Sequence, residues 1–123
     1  MSDETIHLGM KVIKVWPNDC QSEVCGDPTI HKVSFADTQE YHPRLIAKIL
    51  ELEENHRLRK RYFRGACGTK IHYLEQWVST EAELITARAM ALFRKALDCE
   101  QSVVDVSWAN VYRTGDYCLP HSH

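Results

Sequence analysis

His121 and His123 stand one residue apart in the segment Pro120-His-Ser-His123. Side chains on a strand alternate between its two faces, so an extended backbone here turns both imidazoles to the same side. Two imidazoles on one face are donors for iron, zinc, copper or nickel. Spacing alone leaves a plainer alternative open: two solvated histidines near the end of the chain. A third option draws on Cys118, three residues before His121, with Cys20 or Cys25 completing a tetrahedral zinc set. That option lacks the Cys-x-x-Cys pairs that zinc sites usually show, since no such pair occurs in the chain.

The histidines need a scaffold. Residues 103–112 are rich in β-branched and aromatic side chains and read as the best strand of the chain. Gly115 and Asp116 form a polar turn, and a second strand then delivers His121 and His123. Trp108, Asn110 and Tyr112 share one face of the first strand, where they either line the site or pack a core. For Trp108 packing is the expectation, because a buried indole is usually structural. Gly115 suits the turn because positive φ costs it little, and Asp116 reads as a turn residue rather than a ligand.

Upstream the pattern is helical. Pro43 suits a helix start, and Leu45, Ile46, Ile49, Leu50 and Leu52 then recur at helical spacing, predicting a helix over 43–55. Thr80 with Glu83 reads as a capping box opening a second helix over 81–97. Its apolar face includes Leu84, Ala89, Leu92 and Phe93. Residues 10–16 and 30–35 have strand composition, 17–19 a turn, 20–28 a loop, and 68–74 strand character. The fold class is therefore α+β. One domain, 1–123, has a helical layer with short strands over 1–102 and the start of a sheet core over 103–123. A hairpin alone is marginal in water, so further strands are expected to complete that core.

Composition excludes several function classes. The net charge of −2 gives no overall pull toward nucleic acid or anionic membrane. No apolar run approaches the ~20 residues of a spanning helix. The five cysteines are odd in number and irregularly spaced, which fits free thiols in a reducing, cytoplasmic setting. Arg57, Arg59, Lys60, Arg61 and Arg64, with Tyr62 and Phe63 among them, could bind phosphate or single-stranded nucleic acid. The simpler reading is a solvated helix end, where the macrodipole favours cations, so no nucleic acid and no membrane partner is expected. Nothing in the sequence fixes the oligomeric state or the substrate.

The matching positions Trp108, Asn110, Tyr112, Gly115, Tyr117, His121 and His123 together form the pattern Trp-x-Asn-x-Tyr-x-x-Gly-x-Tyr-x-x-x-His-x-His. This pattern resembles the entry into the double-stranded β-helix of a 2-oxoglutarate/Fe(II)-dependent oxygenase family. The upstream helix, the Gly68-Thr-Lys70 segment, Trp77 and the long second helix are similar more loosely. The resemblance implies a jelly-roll core, Fe(II), 2-oxoglutarate and dioxygen. It implies His121 and His123 as metal ligands, with Asn110 and Tyr112 facing the co-substrate. The family places a distal His and a co-substrate-binding Arg on later strands, so this chain reads as its N-terminal portion, with an incomplete barrel and no activity alone. The alternatives are a non-catalytic binding or structural protein that keeps the helical layer, or a weak zinc-binding fragment.

Overall fold

A computed structural model describes residues 4–57, 69–104 and 106–116. The described residues are α+β: two α-helices and three separate two-stranded antiparallel sheets. Strands β1 (Thr5–Leu8) and β2 (Lys11–Lys14) make a hairpin with Ile6 opposite Ile13. Residues 10–16 were expected to be one strand; instead Gly9 and Met10 form the turn, with Gly9 at φ +64°, a conformation glycine adopts without a Cβ penalty. Val15 extends the ladder by donating from its amide to the Glu4 carbonyl.

A second hairpin joins β3 (Gln21–Cys25) to β4 (Ile30–Ser34). The loop expected over 20–28 is thus a strand for half its length. Gln-Ser-Glu-Val-Cys shows no apolar alternation because nearly all of β3 is exposed, and its order comes from the ladder with β4.

Helix α1 (Thr38–Arg57) begins well before the expected start at Pro43, which lies inside it. The first turn is held from outside: the Thr38 amide and hydroxyl both donate to the Phe35 carbonyl. The early start also brings Tyr41 into the core. Helix α2 (Thr80–Ala96) matches the second expected helix to within a residue at each end. Its cap is Ser79, not Thr80: the Ser79 hydroxyl accepts from the Ala82 amide at 3.1 Å, while Thr80 Oγ1 donates to Glu81. The expected Thr80–Glu83 capping box therefore does not form: three residues after Ser79 stands Ala82, which has no carboxylate to reach back. A cap residue must leave the helical region, as Ser79 does at φ −154°.

The core lies between the first hairpin and the helices. Ile6, Leu8 and Val15 pack on Tyr41, Leu84, Ala87 and Ala91. Arg88 stands among these apolar residues, and is buried. Its Nε donates to the Val15 carbonyl and its Nη2 to the Lys14 carbonyl, so the last carbonyl of β2 and the one after it are satisfied from α2. The guanidinium also lies 4.0 Å from the Phe35 ring centroid.

The third sheet pairs β5 (Thr69–His72) with β6 (Trp108–Val111) across α2. The strand expected over 103–112 is regular only in this last part. The reason lies in the partner. After His72 the backbone turns left-handed at Tyr73, φ 63°, and enters a 3₁₀ turn over Leu74–Gln76. The ladder therefore ends at Ser107, whose carbonyl and hydroxyl accept from the Tyr73 and Leu74 amides.

Candidate functional site

The β5–β6 ribbon and the turn after it are where the described structure meets the expected site. Register sets Lys70 opposite Asn110 and His72 opposite Trp108. Directly opposed residues share a face, and alternation then groups all four on one side. Ile71, Ala109 and Val111 take the other side, and Ile71 is sealed in at 1% exposure. The ribbon is thus buried on one face and more open on the other, where Asn110, Lys70 and His72 are exposed and Trp108 is half-buried.

Trp108 was expected to pack in the core. Instead Lys70 Nζ lies 4.6 Å from its ring centroid, and the His72 ring lies 6.4 Å away. The open face therefore carries an ammonium, an imidazole, an indole and an amide. Asn110 is on that face, as expected of it. Tyr112 lies just beyond the strand, half-exposed. Lys70 and His72 were not singled out in the sequence, although their i, i+2 spacing in a strand segment carried the signal.

The turn beyond β6 is braced twice. The Arg113 amide donates to Asp116 Oδ2 at 2.7 Å, and the Asp116 amide donates to the Arg113 carbonyl at 2.8 Å. Gly115 takes φ +93°, which an L side chain would resist. Asp116 is thus a turn residue, its carboxylate occupied by the backbone. The Arg113 side chain reaches α1, where both terminal nitrogens meet the two carboxylate oxygens of Glu53. Glu53 is buried, and the hydrogen bond to it raises the Arg113 pKa above the ordinary arginine value. This two-pronged geometry is specific to guanidinium and carboxylate, and it fixes the turn to the helical layer.

His121 and His123, the expected metal ligands, lie outside the described residues, as do Tyr117, Cys118 and the basic positions 59–64. Among the described residues no group of three or more His, Cys, Asp or Glu is placed to hold a metal ion. Cys20, Cys25 and Cys99 are free thiols, each half-buried. Among the described residues no helix is long and apolar enough to cross a membrane. No protein-family model, curated protein or solved structure matches this chain.

Proposed function

We propose that the chain carries the entry into the core of a non-heme iron, 2-oxoglutarate-dependent oxygenase that oxidises an unactivated C–H bond. The observation that carries the reading is the spacing from Trp108 to His123, seven matched positions in sixteen residues. The local structure supports it to this extent: Trp108, Asn110 and the turn glycine fall on a strand and a turn in the order the pattern requires.

The donor set suits iron chemically. His121 and His123 offer neutral imidazole nitrogens, which bind Fe(II) well, and two such ligands with a carboxylate or a third His leave positions open. When bound, iron with 2-oxoglutarate and dioxygen supplies the oxidising chemistry: one oxygen atom enters the C–H bond, the other enters succinate, and carbon dioxide leaves. The chain's own residues have other tasks. Asn110 offers an amide donor, and Lys70 a cation on the same strand face, to orient an anionic co-substrate. The Arg113–Glu53 pair holds the turn that leads toward the histidines.

The test is succinate release with Fe(II), ascorbate and dioxygen, together with Co(II) titration as a reading of the ligands. The 123-residue chain is expected to bind Co(II) weakly and to release no succinate. A version extended through the further strands of the barrel is expected to do both, and to lose both with His121→Ala. Turnover by the chain alone would place the site elsewhere. An extended protein indifferent to loss of His121 and His123 would remove them as ligands. The second reading, a non-catalytic binding protein, is favoured by one observation: α2 carries an apolar row, Ile85, Ala89 and Phe93, that is exposed among the described residues.

A further inference from the structure

The Glu53 side chain is held almost wholly out of water, at 3% exposure, while that of its partner Arg113 is 55% exposed. Arg113 Nη2 lies 2.6 Å from Glu53 Oε1, and Nη1 meets Oε2. Stability does not account for the choice of these two residues. Burying a carboxylate costs free energy that its pairing barely returns, and an apolar contact of the same volume often holds two elements as well or better. What the fork adds is orientation: two parallel hydrogen bonds keep the guanidinium and the carboxylate in one fixed arrangement. That arrangement passes along the chain with little slack. Arg113 is closed onto Asp116 by two hydrogen bonds, with Gly115 left-handed between them. Before the turn, β6 is laddered to β5, both strands lie against α1, and Ile71 is sealed. The turn is therefore fixed from the ribbon on one side and from Glu53 on the other. His121 stands five positions beyond Asp116. Five residues reach at most about 17 Å, so the exit from the turn bounds where His121 can lie.

We propose, resting on the iron reading above, that Glu53 is a positioning residue for the metal ligands. Acting through Arg113, it fixes the exit of the turn and so the place from which His121 and His123 offer their imidazoles. The helical layer, and not the sheet alone, then sets the affinity for Fe(II). Metal sites tolerate little looseness, and groups that orient a ligand from outside commonly weigh 10- to 100-fold in affinity. Loss of the fork therefore shows in metal binding even where the protein stays folded. A merely structural pair would lower stability and leave the two imidazoles where they are.

Two readings on the 123-residue chain test it. One is the position of the His121 and His123 imidazole resonances without metal, assigned through His121→Ala and His123→Ala. The other is the Kd for Co(II). Glu53→Gln keeps the size of the side chain and removes its charge; it is expected to shift both resonances and to raise the Co(II) Kd about 10-fold or more. Arg113→Lys keeps the charge and loses the fork, and is expected to move both readings in the same direction. Ser79→Ala, which weakens the cap of α2, is expected to move neither. Circular dichroism of each variant establishes that it is folded, and Arg113→Lys decides the outcome should Glu53→Gln unfold. If His121→Ala weakens Co(II) binding while Glu53→Gln and Arg113→Lys leave both readings untouched, the assignment of Glu53 falls and the iron reading stands. An equal response to Ser79→Ala overturns the assignment too, because it shows general loosening. Co(II) binding indifferent to loss of His121 and His123 overturns the iron reading, and the assignment with it.

Discussion

Arg88 grips Asp37 with both terminal nitrogens, Nη1 2.7 Å from Oδ1 and Nη2 2.8 Å from Oδ2. The pair ties the middle of α2 to the turn that starts α1, while the same guanidinium holds the Lys14 and Val15 carbonyls. One buried side chain thus joins three elements. Replacing Arg88 with Ala leaves two carbonyls and a carboxylate without their donor. The expected loss is about 3–5 kcal/mol of unfolding free energy. Arg88→Lys keeps the charge and loses the fork, so it should fall between the two. Urea titration followed by circular dichroism measures both. An Arg88→Ala protein as stable as the wild type would mean that Arg88 is not the joint.

The cap of α2 gives a contrast between neighbours. Ser79→Ala removes the acceptor for the Ala82 amide and should cost about 1 kcal/mol. Thr80→Ala removes only an exposed hydroxyl that meets Glu81, and should cost a few tenths at most. Equal effects of the two, in matched thermal melts, would move the cap.

Tyr41 supplies a pH dependence. Burial raises its phenol pKa above the ordinary tyrosine range. A folded state with the higher pKa holds the proton more tightly than the unfolded chain does. Its contribution is complete below the unfolded value, about 10, and is lost as pH rises through the folded value. Tyr41→Phe should therefore differ from wild type by a constant amount from pH 7 to about 9 and gain relative to it above pH ~10. Denaturation curves across that range check the sign; a difference that stays flat into strong alkali would contradict it.

The Arg113–Glu53 pair should act locally. Arg113→Met removes the guanidinium that holds the turn to α1. A loss of stability is expected, together with faster hydrogen exchange at the β6 amides than at those of β1. Exchange that speeds equally in both sheets would show a global effect instead.

Much of this was readable from residue pattern, for reasons that differ by element. The two helices announce themselves because their apolar residues keep helical spacing for several turns. The start of α1 does not: Pro43 points to a start, while the actual start depends on Phe35 accepting from Thr38. Strand β3 was hidden because an exposed strand has no face to alternate against. Arg88 was hidden because a charge within an apolar row reads as a break in the row; its partners lie 51 and 73 positions away. At the site, Asn110 and Trp108 were visible through strand alternation. Lys70 and His72 were not, since the pairing that brings them beside Trp108 is set by a helix in between. His121 and His123 are as legible as their spacing makes them, and they lie outside the described residues.

The pairing of His72 with Trp108 brackets the whole of α2 between two strands of one sheet. Closing a loop of that length costs on the order of 3 kcal/mol of chain entropy before any ladder bond repays it. The first two hairpins close over a few residues and can form early in synthesis. The third sheet must wait for Val111 to leave the ribosome. At ordinary elongation rates that is a delay of roughly 2–8 seconds after β5 appears. During that interval Ile71, the one apolar side chain of β5, has no opposing strand and stays open to water.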